Sequence, residues 1–260
     1  MTTPDRPLVP LAADLSGDGP LAVIIHGITE NRHSFDPLLA GLDARYRVLA
    51  VDLRGHGESP AGPDDDYALD AMAADVHATV QRLAPGEAPL VIGHSLGGIV
   101  AAAYGARFPV RGVVNVDQSL ALASMQDQIR SIEPMLRSEA YADVMNGMFA
   151  QMFVALPEAE QQRLTAMRRV DQPVVLGVWN PLFTLSAEEL AAQVDALVTP
   201  AAPYPYLQID GLPSGDGYAE WLGARIPGAV VEDWGLLGHY PHLVEQNRFV
   251  ARVAEFDQGA

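Results

Sequence analysis

The chain has 260 residues, a length that suits one α/β domain with a modest insertion and buries a core without disulfide or metal. It contains no cysteine, which excludes thiol nucleophiles, thiolate metal sites and disulfides, and no lysine, which excludes Schiff-base chemistry. A formal charge of −17 argues against nucleic acid and anionic membranes as partners.

The opening stretch MTTPDRPLVPLAADLSGDGP lacks the basic and apolar regions of a signal peptide, and no apolar run reaches the roughly 18 residues of a spanning helix. A cytoplasmic location is the expectation. Short apolar runs then alternate with amphipathic ones, the pattern of a parallel sheet flanked by helices. Strands are predicted over 21–27 (LAVIIHG) and 46–52 (YRVLAVD) and a helix over 67–83. A strand over 89–95 (PLVIGHS), a helix over 96–107 and a strand over 110–117 (VRGVVNVD) follow. From 119 to 200 the strand signal almost vanishes and amphipathic helices are predicted, a cap set between residues 1–118 and 201–260 of the core. Strands resume at 204–210 (YPYLQID) and 229–235 (AVVEDWG), and a last helix is predicted over 241–256.

Gly93-His94-Ser95-Leu96-Gly97 matches Gly-x-Ser-x-Gly between a predicted strand and a predicted helix, the context that a nucleophile elbow requires. Ser95 is the expected nucleophile, at the positive end of a helix whose free Leu96 N–H faces the developing oxyanion. The loop after the first strand supplies the second donor in such sites, which here points to the N–H of Ile28. Gly27 beside it is taken as a substrate contact. His26, Arg54 and His56 are expected to brace loops.

The segments HG at 26–27, DLRGHGES at 52–59, GHSLGG at 93–98 and GHYPHLVE at 238–245 together resemble the α/β-hydrolase superfamily from about residue 20 to 256. The resemblance implies the α/β-hydrolase fold and a serine hydrolase with no metal or organic cofactor. A serine hydroxyl needs a general base titrating near neutrality. The resemblance puts that base last in chain order, at His239, while His242 packs or caps at the start of the final helix. The triad acid is less direct, because the family's Gly-x-x-Asp after the penultimate strand reads here as Gly211-Leu212-Pro213-Ser214. Three carboxylates compete. Asp216 reads as a helix N-cap, and Asp210 precedes the usual position. Asp117 lies at the carboxyl edge after the strand that follows the nucleophile's helix, and it is preferred. The chain is similar there to the zearalenone lactonase group, which carries a glutamate.

The cap is rich in methionine and aromatic residues (Met125, Met135, Met145, Met148, Met152, Met167, Phe149, Phe153, Phe183), which suits an adaptable apolar pocket. Met148, Phe183 and Trp179 are the expected wall residues, and a cap tryptophan is a further similarity to the zearalenone lactonases. The expected reaction is hydrolysis of a small hydrophobic ester or lactone through an acyl-enzyme. Carbon–carbon hydrolysis or acyl transfer by the same triad, or a non-catalytic receptor, are the alternatives, and a homodimer is left open.

Overall fold

A computed structural model describes residues 6–200 and 202–259. Seven strands form one sheet in the order β1-β3-β2-β4-β5-β6-β7. They are β1 (Ala13–Ser16), β2 (Leu21–Ile25), β3 (Arg47–Val51), β4 (Leu90–His94), β5 (Gly112–Val116), β6 (Tyr206–Asp210) and β7 (Val230–Asp233). All neighbours run parallel except β1, which pairs antiparallel with β3. β2, β4, β5 and β6 are buried along their whole length, as strands covered on both faces should be. β1 escapes the sequence reading because ADLS is a four-residue edge strand whose central pair is exposed.

On one face lie α1 (Asp36–Asp43) and, from the chain's end, α10 (Pro241–Val244) and α11 (Gln246–Gln258); α2 (Leu69–Leu83) and α3 (Leu96–Arg107) cover the other. The expected single helix over 241–256 is divided at Glu245, whose ψ of 53° ends α10 before α11 begins. Between β5 and β6 the chain forms five helices. These are α4 (Ala123–Leu136), α5 (Tyr141–Gln151), α6 (Glu158–Met167), α7 (Gln172–Thr184) and α8 (Ala187–Val198). α9 (Tyr218–Gly223) links β6 to β7. Its N-cap is Gly217, at φ 81°, and no side chain caps it. The expected capping role of Asp216 is therefore corrected, because the left-handed turn at Gly217 sets the helix start and leaves Asp216 exposed. Among the described residues no helix is long and apolar enough to cross a membrane.

Candidate active site

The turn from β4 into α3 brings backbone so close to backbone that two positions admit no side chain. A Cβ on Gly93 would lie 1.9 Å from the Gly97 carbonyl oxygen, and one on Gly97 would lie 2.2 Å from that of Ile25. Between them Ser95 sits at φ 52°, ψ −123°, a conformation that L-residues avoid and that surrounding structure must enforce. The Ser95 N–H donates to the Val116 carbonyl at 3.0 Å, and the Ser95 carbonyl accepts from Gly98 N at 2.7 Å. Ser95 is half-buried and faces a cavity of about 830 Å³.

His239 and Asp117 open on the same cavity. The His239 Nδ1–H donates to Asp117 Oδ2 at 2.6 Å, which leaves Nε2 as the ring's acceptor. Asp117, at φ 52° just past β5, accepts at its other oxygen from Gly211 N at 2.6 Å. The backbone of His239 is held from two sides: its N–H donates to the Met152 carbonyl at 3.2 Å, and its carbonyl accepts from His94 Nε2 at 2.8 Å. Ile28 and Leu96 also line the cavity, and neither amide donates to backbone among the described residues.

Behind this edge lies a cluster that the sequence reading missed. The buried Glu30 carboxylate accepts from Tyr240 Oη at 2.8 Å and faces Arg168 at 3.6 Å and His94 Nδ1 at 3.7 Å. Burial pushes the Glu30 carboxyl up, but the facing His94 ring, Arg168 and the Tyr240 hydroxyl hold it below the usual carboxylate range. Arg168 comes from the end of α6, stacks 3.9 Å from the Phe149 ring centroid and donates to Tyr240. Glu30 had a local signal, a carboxylate three residues after the HG pair, whereas nothing near Arg168 in sequence points to Glu30.

His26, Arg54 and His56 brace loops as expected. His26 Nε2 accepts from Leu53 N at 3.0 Å, so its Nδ1–H donates to the Gly27 carbonyl at 2.7 Å. Arg54 pairs with Asp75 at 2.7 Å, and His56 Nδ1 donates to the Arg54 carbonyl at 3.0 Å. His242 is packed in α10, its ring 5.0 Å from that of Phe35, and burial holds its pKa well below the ordinary histidine value.

Of the expected wall residues, Met148 and Trp179 line the cavity, together with Met125, Met152 and Phe149. Gly27 and Phe183 are not among the residues that line it. Gly27 lies beneath Ser95, where a Cβ would stand 3.3 Å from the serine Cβ, and its N–H turns to Glu30 Oε2 at 3.4 Å. Phe183, one turn beyond Trp179, is taken up by Arg137, whose guanidinium stands 5.3 Å from its ring centroid. Met145 is buried in helix packing and Met135 is exposed.

Asp210 and Ser214 line the cavity next to Asp117. Asp210 accepts from Gln208 Nε2 at 2.9 and 3.0 Å and from the Ser214 hydroxyl. Burial pushes Asp210 up to about 6, opposed by the bonds from Ser214 and Gln208 and assisted by the negative charge of Asp117.

With the elbow, the parallel sheet and the insertion described, comparison with known proteins places the chain. The family model for the alpha/beta hydrolase fold matches residues 20–197. The chain belongs to that family. It is 28% identical, over 94% of its length and 97% of the relative's, to a pimeloyl-[acyl-carrier protein] methyl ester esterase of Chromobacterium violaceum. A 2-(acetamidomethylene)succinate hydrolase of Mesorhizobium japonicum is 41% identical over 39% of this chain, a match that spans 36% of that relative. The first two curated relatives are thus matched over about a third of their length. Among solved structures, an esterase from Exiguobacterium antarcticum superposes with a TM-score of 0.77, at 20% identity and 96% coverage of both chains. At that identity the likeness is one of fold.

Proposed function

We propose that this hydrolase cleaves the carboxylic ester or lactone of a hydrophobic substrate through an acyl-enzyme on Ser95. One observation carries the reading: a serine held in a strained strand-to-helix turn opens on the same cavity as a histidine whose Nδ1–H is bonded to a carboxylate at 2.6 Å. In this reading His239 Nε2 takes the Ser95 proton as Oγ attacks the carbonyl carbon. The Ile28 and Leu96 amides then stabilise the oxyanion, worth on the order of 3 kcal/mol for each donor. Asp117 keeps His239 in the required tautomer and stabilises the imidazolium as it forms. His239 returns the proton to the leaving alcohol, then activates the water that frees Ser95. The helices between β5 and β6 act as a cap whose Met148 and Trp179 contact the apolar part of the substrate. Esterase names among the relatives, including one for a methyl ester, support this class of reaction.

The test is incubation with a fluorophosphonate probe and with p-nitrophenyl esters of increasing chain length. Stoichiometric labelling of Ser95 and turnover abolished by Ser95→Ala are expected; no labelling and no turnover would sink the reading.

A further inference from the structure

The cavity wall built by the ends of β5 and β6 carries a cluster of polar side chains that the mechanism proposed above leaves mostly unused. Gln118 and Ser119 follow Asp117 on the β5 side, and Gln208, Asp210 and Ser214 stand on the β6 side. Gln208 is fixed rather than adjustable. Its Oε1 accepts from Tyr218 Oη at 3.0 Å and from Asn115 Nδ2 at 3.2 Å, so its amide hydrogens must point at Asp210. A fully buried amide thereby holds a carboxylate that is 4% exposed against the cavity. Gln208 bridges both oxygens of Asp210 and Ser214 takes one, which leaves acceptor capacity on a group with about four lone-pair positions. Ser214 lies on an exposed loop, where solvent can replace its bond to Asp210.

The charges around the cavity point the same way. Asp65, Asp66, Asp117 and Asp210 line it against only Arg6 and Arg137. Both guanidiniums are engaged: Arg6 with Asp66 at 2.9 Å and Asp70 at 3.3 Å, Arg137 with Glu133 at 2.8 Å. Among the described residues no cavity arginine lacks a carboxylate partner. Asp66 is offset by Arg6 and Asp117 faces His239, so among the described cavity residues Asp65 and Asp210 are the carboxylates left without a cationic partner, and carboxylates so placed attract cationic ligands and repel anionic ones. A free carboxylate brought to Asp210 would find no unpaired guanidinium among the described cavity residues to answer it.

We propose that Asp210, framed by Gln208 and Ser214, is a subsite that accepts a hydrogen bond from the substrate. The substrate class of Ser95 is then a neutral or cationic ester or lactone bearing a hydroxyl or ammonium group, and free carboxylates are rejected. The proposal rests on the hydrolase reading of Ser95. Asp210 is here a specificity residue, and Asp117 remains the partner of His239.

Four p-nitrophenyl esters of equal chain length test it: hexanoate, 6-hydroxyhexanoate, 6-aminohexanoate and the adipate monoester, compared by kcat/KM at pH 8. The hydroxy and amino esters are expected to match or exceed hexanoate and to exceed the adipate monoester by about tenfold or more, the scale of one charge-assisted hydrogen bond. Asp210→Asn is expected to lower the amino-to-adipate ratio about tenfold. Ser214→Arg, on an exposed loop, sets a cation beside Asp210 and should lower the same ratio even if Asp210→Asn does not fold. A wild-type enzyme that treats the four esters alike or prefers the adipate monoester overturns the proposal, as does a ratio that neither variant moves. Absent fluorophosphonate labelling of Ser95 would instead remove the hydrolase reading itself.

Discussion

At the carboxyl edge of the sheet, the groups facing the cavity are fixed by backbone. Ser95 hangs from a turn in which two glycines touch neighbouring carbonyls, Asp117 is bonded to the Gly211 amide, and His239 is held at both its N–H and its carbonyl. In the insertion, the walls around Trp179 and Met148 are held by packing between short helices, two of which carry an internal proline, Pro134 and Pro181. The edge sets geometry through backbone bonds, and the helices set shape through packing. The two regions meet through polar contacts spread along the junction. These include the Arg168 pair with Glu30, the Met152 carbonyl that holds His239, and Arg163, which donates to the His33 and Ser34 carbonyls.

That contrast can be broken first at the edge. Asp117→Asn is expected to lower kcat by up to about 10⁴ by favouring the wrong His239 tautomer, while the exposed Asp216→Asn stays near wild type. Comparable losses in both would mean that Asp117 is not the acid.

The junction comes next. Arg168→Met leaves the buried Glu30 without its cation and should cost about 3–5 kcal/mol in urea unfolding. The double variant Glu30→Gln/Arg168→Met should recover much of that loss. If the single variant were neutral, the buried Glu30 would not depend on Arg168 for its place in the fold.

A smaller effect is expected from acid. Burial lowers the pKa values of His26, His56 (to about 3) and His242. Below about pH 6.5 the unfolded chain binds protons at these histidines that the folded chain refuses, so stability falls as pH drops through 6.5 toward 3. Asp210 acts in the opposite sense: with its pKa raised to about 6, stability is lost as pH rises from about 4 to 6 and stays lost above, so Asp210→Asn should raise the Tm more at pH 8 than at pH 5. Thermal melts of wild type and Asp210→Asn between pH 4 and 8 read both slopes.

The smallest effect belongs to the shape-building region. Trp179→Ala should raise KM about tenfold for a long-chain ester and less for acetate, since apolar pocket contacts discriminate weakly. Equal changes for both esters would mean that Trp179 supports the helix rather than the substrate.

Much of the edge was legible in the chain because its signals are local. Continuous apolar runs place β2, β4 and β5, and Gly93-x-Ser95-x-Gly97 needs only its own neighbours to make the turn. β1 was not legible, being too short and too exposed to show a period, and the break at Glu245 lies inside an otherwise helical pattern. In the insertion, composition pointed to Met148 and Trp179 as wall residues but put Phe183 with them. In the structure Phe183 lies under Arg137, which is 46 residues earlier in the chain.

The sequence by itself determined six of the seven strands, the serine turn and the helical nature of residues 119–200, because these depend on periodicity and on contacts a few residues apart. Only the tertiary structure decided that Asp117 faces His239 across 122 residues, that Arg168 reaches Glu30, and that Gln208 turns Asp210 toward the cavity. Each of those partnerships joins side chains from different strands or helices. No spacing along a chain encodes which of several buried carboxylates a distant imidazole, guanidinium or amide will meet.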